Sequence, residues 1–284
     1  MRILKLLFLA CIFLSCNSEL SKNEKTDLEI KGLKGEVKSI RQTVYTAKEK
    51  FGEIVKDKPG AFHSDYSSYY ELYNEDGNLL EENSYYQTGE LVGKKKFNYD
   101  ENLRLIETLF YDPDGTLTVK WIHKYDDTDN NFKTFRYNEK GEAIGSSDNE
   151  YDNAGNLILS LRNNPDGEPT HKAVYEYDEN GLLIKESYLN LSGSYSRTSI
   201  YKYNEEGKSK EEEKYDTDNN LTHRILITYD SKGNKIKEVS TAYEKSSVTI
   251  FDFNLDEKEN WITGVYSLSD GRIWLVERKI EYYN

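Results

Sequence analysis

The sequence predicts an all-β protein, a repetitive antiparallel β-meander of hairpins. Three observations support this: a fixed 26-residue period, turn residues at a constant offset within each period, and alternating aromatic and polar side chains between the turns. The period is marked by a Tyr followed by Asn or Asp, and seven coincidences at one spacing define a repeat. These tyrosines are Tyr73, Tyr99, Tyr125, Tyr151, Tyr177, Tyr203 and Tyr229.

The turns are predicted from the Asn or Asp after each tyrosine and from a Gly four places after it. An Asn or Asp side chain caps its own turn, and Gly takes the positive φ that closes a short hairpin loop. A second, looser turn falls halfway through each unit, so one strand plus one turn takes about 13 residues, half of the period. The glycines of the main series are Gly77, Gly155, Gly181, Gly207 and Gly233; the units at Tyr99 and Tyr125 lack theirs.

Alternation along the strands predicts one aromatic face and one hydrated face. Two residues before a turn position stand Phe97, Phe135, Tyr175, Tyr201, Ile227 and Phe251. One residue before it stand Asn98, Arg136, Glu176, Lys202, Thr228 and Asp252. Two interpretations of the 24 tyrosines stay open: a cross-strand ladder that stabilises the sheet, and an exposed aromatic platform that binds sugars.

The repeat number predicts roughly seventeen strands, too many to stay flat in one open sheet. We therefore expect a curled or superhelical open sheet, with a closed barrel or a propeller as the alternative. The repeats are assigned to residues 66–252, and residues 31–65 are predicted to form an N-terminal hairpin or cap. Residues 253–284, with Trp261 and Trp274, are predicted to be a C-terminal capping unit, because terminal units of a repeat array must cover an open end.

The N-terminus is predicted to be an export signal covering residues 1–15. Arg2 and Lys5 precede the apolar run Leu6–Leu14, which is too short to span a bilayer and fits a signal peptide. The run ends in FLSC at Cys16, which resembles the lipobox of bacterial lipoproteins. The resemblance implies that Cys16 is lipidated and becomes the new N-terminus.

Other interpretations of this segment stay open: lipidation at Cys11, or an ordinary signal peptide in which Cys16 is incidental. Residues 16–30 are polar and are predicted to be a flexible tether. No cysteine follows Cys16, so the sequence offers no disulfide scaffold and no thiol nucleophile.

The charge of the chain restricts its partners. The 51 acidic and 38 basic residues give −13, and loss of residues 1–15 with their two positive charges takes this to −15. An acidic surface repels phosphate backbones and anionic headgroups, so nucleic acid is not expected as a partner. Contact with the membrane is expected only through the N-terminal lipid.

The repeating unit YDxxGNL resembles the YD repeats of RHS-type proteins over roughly residues 66–284. The resemblance implies a long antiparallel sheet that coils on itself. The stretch YYQTGELVGKKKFNY is more weakly similar to MORN-type repeats of some bacterial antitoxins, which implies an immunity role.

The sequence lacks the spacing patterns of known catalytic and metal-binding motifs. The histidines stand at His63, His123, His171 and His223, none with metal-ligand spacing. His171 and His223 lie two repeats apart on one face, about 19 Å at ~4.8 Å per strand. The Asp-rich runs that begin at Asp126 and Asp216 lack the pattern of a calcium loop and are interpreted as turn caps. No catalytic residue, cofactor or metal is predicted.

The leading functional hypothesis is a non-enzymatic, lipid-anchored protein of the cell envelope whose β-repeat surface binds a polymer, such as a polysaccharide, or a protein partner. It follows from the predicted architecture, because repeat arrays present long surfaces and no single deep cleft. The alternatives are an immunity or antitoxin-like protein that neutralises a toxin and a carbohydrate-binding surface lipoprotein. Attachment to the outer membrane, facing the periplasm or the exterior, is the expected location.

Overall fold

The computed structural model describes residues 26–60, 68–126, 132–192 and 196–284. The predicted signal peptide, Cys16 and His63 lie outside the described residues, as does most of the run that begins at Asp126. Within the described ranges, no helix is long and apolar enough to cross a membrane.

The described chain forms one short helix and nineteen strands. The helix is α1 (Asp27–Ile30). The strands are β1 (Val37–Lys50), β2 (Glu53–Pro59), β3 (Ser68–Tyr73), β4 (Leu79–Tyr85), β5 (Leu91–Tyr99), β6 (Leu105–Tyr111), β7 (Leu117–Tyr125), β8 (Phe132–Asn138), β9 (Ala143–Tyr151), β10 (Leu157–Asn163), β11 (Pro169–Tyr177), β12 (Leu183–Asn190), β13 (Ser196–Tyr203), β14 (Ser209–Tyr215), β15 (Leu221–Tyr229), β16 (Lys235–Ala242), β17 (Lys245–Leu255), β18 (Trp261–Leu268) and β19 (Ile273–Tyr282).

The strands close into a barrel, and the expectation of an open curled sheet is wrong. From β3 to β19 each strand pairs antiparallel with the next, and β1 pairs with both β19 and β3. The result is a closed 18-stranded barrel with β2 as one extra strand on β1. Closure satisfies the backbone N–H and C=O groups that an open array would leave unpaired at its two edges.

Strand β1 is the element that closes the barrel. One edge pairs with β19 from Val37 to Ala47, while the other pairs first with β3 and then, from Tyr45 onward, with β2. Within residues 31–65, β1 is one continuous strand that forms a hairpin with β2. The turn of the β1–β2 hairpin lies at Phe51 and Gly52, both at positive φ.

Most of the described turns share one backbone conformation at the two ends of the barrel; the β1–β2 and β16–β17 turns instead have two residues at positive φ. We call the end where the strands finish at the tyrosines of the 26-residue series, such as Tyr99 and Tyr151, the first end, and the opposite end the second end. In a typical turn, the Asp152 amide donates to the Asn156 carbonyl at 2.9 Å, and Gly155, at φ +85°, donates to the Asp152 carbonyl at 3.0 Å. The Asp152 carboxylate accepts from the backbone of Ala154 and Asn156. This is a three-residue hairpin loop that ends in a left-handed residue.

The two faces of the wall differ in burial, which identifies the inner one. Side chains on a concave wall converge and lose solvent exposure, whereas those on the convex side diverge. Most buried mid-strand residues of the repeats lie on the face we call inner, among them Thr108, Thr134, Asn149, Ala173, Ser199 and Thr249. Glu211, on the other face, is an exception, and it is buried among ion pairs. Burial also raises the pKa of Tyr175, Tyr201 and Tyr229 on that face.

Two small apolar clusters lie on the inner face around β1. In one, Leu28 of α1 packs against Val37, Ile40, Tyr73 and Leu79. Residues 26–30, assigned to the flexible tether, are therefore part of the fold, and Thr26 caps the helix in a capping box with Glu29. The second cluster contains Val44, Phe251, Tyr266, Trp274 and Val276.

Candidate binding site on the inner wall

The turn tyrosines form a hydrogen-bonded ladder at the first end. Four of these tyrosine hydroxyls each donate to a backbone carbonyl 20 residues earlier, at the first residue of the preceding strand. These pairs are Tyr99 to Leu79 at 2.8 Å, Tyr125 to Leu105 at 2.9 Å, Tyr177 to Leu157 at 2.9 Å and Tyr203 to Leu183 at 2.6 Å. These side chains therefore hold the fold together, as a cross-strand ladder does.

The other predicted turn positions lie in the same ring. Tyr73 is fully buried beside α1, and Tyr151 stacks on Phe132 with ring centres 5.6 Å apart. Burial raises the pKa of Tyr229. The glycines Gly77, Gly155, Gly181, Gly207 and Gly233 all have φ between +74° and +85°. In the unit at Tyr99, which lacks Gly, Leu103 takes the same backbone conformation at φ +61°.

Aromatic rings other than those of the turn tyrosines also line the inner wall. Phe110 and Trp121 contact each other with ring centres 4.9 Å apart, and Tyr175 and Tyr201 lie further around the barrel on the same face. All four side chains are only partly buried. The inner wall thus combines aromatic surface with access to the lumen.

The histidines divide between structural and accessible positions. His123 contacts the hydroxyls of Thr108 and Thr134 at 3.2 and 2.9 Å, and burial lowers its pKa, so its position within the wall disfavours the charged form. His171 on β11 and His223 on β15 lie on the inner face, four strands apart. Among the described residues, no group of three His, Cys, Asp or Glu could hold a metal ion.

A band of basic and aromatic side chains crosses the inner wall near the second end. We call it the basic band. Its members are Trp121, Arg136, Arg162, His171, Tyr188 and Arg197, on strands β7 to β13. The register places them side by side through three direct pairs: Trp121 with Arg136, Arg162 with His171, and Tyr188 with Arg197.

Arg136 is held in place by backbone acceptors. Its Nη2 donates to the carbonyl of Ser146 at 2.8 Å and reaches over β9 to the carbonyl of Asn163 at 3.4 Å. Gly145 leaves the room for this crossing. Burial and the nearby charge of Arg162 both lower the pKa of Arg136, so the two guanidinium groups share one region of the wall.

Tyr188 joins the other side of the basic band. Its ring centre lies 5.5 Å from that of His171, and the Arg197 guanidinium lies 5.7 Å from the Tyr188 ring centre. In the described part of the chain, no ion pair engages the guanidinium of Arg136, Arg162 or Arg197. The basic band is therefore a positive strip inside an acidic protein.

Several charged side chains on the outer face form ion pairs across neighbouring strands. Cross-strand ion pairs join Lys202 to Glu211 at 3.0 Å and Arg224 to Glu211 at 2.5 Å. Lys133 and Asp148 form another pair at 2.8 Å. In each of these pairs a positive charge lies next to a negative one. The arginines of the basic band, by contrast, have no ion-pair partner among the described residues.

The alternation pattern in the sequence misplaced Arg136. It assigned Phe135 to the aromatic face and Arg136 to the hydrated face, but Phe135 pairs with Ile122 on the outer face and Arg136 points inward. Tyr137 precedes a turn at the second end. A first-end turn and the second-end turn that follows it have the same loop conformation, but the chain enters them in opposite directions while it always moves the same way around the barrel. The side chain just before the turn therefore points inward at one end and outward at the other. The positions before second-end turns therefore had to be counted with the opposite parity.

No family model matches the chain, and no curated protein matches it. Among solved structures, it is similar to a porin-like protein from Bacteroides uniformis, with a TM-score of 0.43 and 10% identity over 86% of this chain and 98% of that one. It is also similar to one chain of the TcdB2-TccC3-Cdc42 structure, with a TM-score of 0.26 and 10% identity over 84% of this chain and 17% of that one. A DUF1329 family protein from Desulfovibrio piger has a TM-score of 0.21 and 10% identity over 87% of this chain and 86% of that one. At this level of similarity a shared function does not follow.

Proposed function

We propose that this chain is an exported, lipid-anchored protein of the cell envelope that binds a carbohydrate polymer on the inner wall of its barrel. The observation that carries the proposal is the set of partly exposed aromatic rings on that wall. The turn tyrosines are occupied in the ladder, but Trp121, Tyr175, Tyr188 and Tyr201 face the lumen.

The size of the barrel supports an internal site. With a round cross-section, strand spacing of ~4.8 Å and a tilt of ~40° give about 35 Å between opposite backbones for 18 strands. Barrels of this strand number leave an aqueous channel rather than a core packed with side chains. A polymer therefore has space to lie along the inner wall.

The chemistry of the wall suits sugars. A sugar ring has an apolar face that packs on an aromatic ring and a rim of hydroxyls that need hydrogen-bond partners. Aromatic side chains offer large contact area at low entropic cost, and small polar residues offer adaptable hydrogen bonds. Between the rings the inner wall carries Ser147, Asn149 and Ser160, and the Ser160 hydroxyl donates to the Asn149 side chain at 2.7 Å.

A binding experiment with matched tyrosine variants tests the proposal. Purified protein is run in affinity gels that contain neutral or acidic polysaccharides, and retardation gives the dissociation constant. Tyr175→Ala, on the inner wall, is expected to weaken binding at least tenfold, whereas Tyr137→Ala, on the outer face, is expected to leave it unchanged. Equal loss in both variants, or no retardation of the wild type by any polysaccharide, overturns the proposal.

The proposed lipid anchor is tested separately. Cells that make the wild type or Cys16→Ala are fractionated and shaved with protease. The anchor predicts that the wild type sediments with membranes and that the variant is released. Cleavage of the wild type on intact cells would indicate that the barrel faces the exterior, and protection would indicate the periplasm. Equal solubility of both proteins contradicts the anchor and leaves the proposed binding site untouched.

A further inference from the structure

We propose that the basic band selects an acidic polysaccharide, one whose sugar units carry carboxylate or sulfate groups. This rests on the proposed function and names the polymer class that the inner wall takes. The protein has a net charge of −13, yet three arginines on its inner wall have no carboxylate partner among the described residues.

The guanidinium groups of the basic band are placed for anion binding. Arg136 is oriented by two backbone carbonyls, which use part of its donor set and neutralise none of its charge. Arg162 and Arg197 are exposed to the lumen. Arginine presents a planar fork of donors that matches carboxylate and sulfate oxygens, and an arginine without a counter-ion gains most from such a ligand.

Nearby inner-face carboxylates are engaged elsewhere. Glu186 lies one level toward the first end, opposite Tyr175, and accepts a hydrogen bond from the Tyr201 hydroxyl at 3.4 Å. Glu212 is paired with Lys214 at 3.1 Å. Among the described residues, neither of these carboxylates forms an ion pair with an arginine of the basic band.

The length of the basic band favours a polymer over a single small anion. It runs across seven neighbouring strands, β7 to β13, or about 29 Å at ~4.8 Å per strand. Arg162 and Arg197 lie three strands apart, roughly 14 Å by the same spacing. One carboxylate or sulfate cannot bridge that distance, whereas successive charged units of one chain can.

Aromatic side chains in the same strip favour a glycan among polyanions. Tyr188 lies between His171 and Arg197, and Trp121 stands beside Arg136, so a ring can stack next to a bound charge. Nucleic acid also offers stacking and charge, and the net charge of the protein repels both kinds of polyanion alike. What favours the glycan is the predicted export signal, which separates the chain from nucleic acid.

The test compares polymers of known charge on the intact protein. Polygalacturonate and chondroitin sulfate are the acidic probes, dextran and xyloglucan the neutral ones, and a single-stranded oligonucleotide the competing polyanion. At 50 mM NaCl the wild type is expected to bind an acidic polysaccharide at least tenfold more tightly than any neutral one. The preference is expected to shrink as NaCl is raised, because salt screens contacts between charges.

Charge variants assign the preference to the basic band. The double variant Arg162→Gln/Arg197→Gln removes exposed guanidinium groups and is expected to lose at least tenfold in affinity for the acidic probe. Arg41→Gln is the control: Arg41 is an exposed arginine on the outer face, over the Tyr85 ring. It removes positive charge without touching the basic band and is expected to change affinity less than twofold. Circular dichroism verifies that each variant is folded.

The outcomes separate this inference from the proposed function. Tight binding of neutral polysaccharides without preference for acidic ones overturns the basic band as a selectivity site and leaves the carbohydrate site standing. No binding of any polysaccharide overturns both. An equal effect of Arg41→Gln, or tighter binding of the oligonucleotide than of the acidic polysaccharides, also overturns the inference.

Discussion

Gly145 and Arg136 share one space on the inner wall. A Cβ atom on residue 145 would lie 2.9 Å from Arg136 Nη2 and 2.6 Å from the carbonyl oxygen of Asn163. Gly145 also has φ +144°, which side-chain-bearing residues rarely adopt. The glycine thus does two things: it permits the local backbone of β9 and it lets a guanidinium cross that strand.

Gly145→Ala is expected to destabilise the barrel by more than about 2 kcal/mol, because strained backbone and steric overlap add. Gly155→Ala is the matched control, since Gly155 also has positive φ, at +85°, but has open space around the position of a Cβ. The control is expected to cost about 1 kcal/mol. Urea unfolding followed by circular dichroism measures both losses. Equal losses would show that the space occupied by the Arg136 guanidinium beside Gly145 contributes nothing to stability.

The tyrosine ladder predicts a hydroxyl-dependent contribution to stability. Tyr177→Phe removes the hydrogen bond to the Leu157 carbonyl, whose distance is 2.9 Å, and leaves the ring in place. We expect a loss of about 1 kcal/mol in the free energy of unfolding, the usual net value of such a bond. Tyr137→Phe on the outer face serves as the control and is expected to change stability by less than about 0.5 kcal/mol. A loss that is the same in both variants contradicts the ladder.

The repeat and its turns could be predicted because their signals are local. Asp152 and Gly155 lie within one turn, and their side-chain chemistry alone specifies that loop. Closure could not be predicted in this way. Val44 pairs with Val276, more than 200 residues along the chain, and no periodicity within the repeats encodes that partner. Closure is favoured because it removes the cost of unpaired sheet edges. This gain arises only when the two ends of the array meet, so it leaves no local signal in the sequence.

The basic band was missed for a related reason. Arg136 and Arg162 stand one 26-residue period apart, but Arg197 lies 35 residues further on, outside the period and on a strand that runs in the opposite direction. Their alignment comes from register across β8 to β13. The band becomes visible in the sequence when residues before second-end turns are assigned to the opposite face from those before first-end turns. Counted in this way, Arg136 and Arg162 both lie on the inner face.

The ion-pair cluster around Glu211 predicts acid sensitivity. The Glu211 side chain is 10% exposed. Burial alone would raise its pKa, but hydrogen bonds from Lys202 and Arg224 outweigh burial and hold the pKa below its ordinary value of 4.5. Because the folded-state pKa is the lower one, the stabilisation is fully present above pH 4.5 and is lost as pH falls through the folded-state pKa.

Glu211→Gln is therefore expected to lower the free energy of unfolding at pH 7 by an amount that stays constant down to about pH 5 and then shrinks. Urea titrations of both proteins at a series of pH values measure the difference. Glu179→Gln at an exposed turn position is the control and is expected to change the free energy of unfolding by less than about 0.5 kcal/mol. A difference that persists unchanged at pH 3 would contradict the role of the Glu211 carboxylate.

Closure of the barrel predicts a specific cross-link between the first and the last strand. Thr43 on β1 and Glu277 on β19 are direct antiparallel partners on the outer face. Facing residues of an antiparallel pair have Cβ atoms about 4.5–5.5 Å apart, close enough for a disulfide after a small adjustment. With Cys11 and Cys16 changed to Ser, the variant Thr43→Cys/Glu277→Cys is expected to form an intramolecular disulfide under mild oxidation. A gel shift on reduction and mass spectrometry of the linked peptides detect it.

Thr43→Cys/Thr198→Cys is the control, because Thr198 lies on β13, several strands away in either direction around the wall. This variant is expected to stay reduced as a monomer. An open sheet would keep β1 and β19 at opposite edges, so failure of the first pair to link would contradict closure.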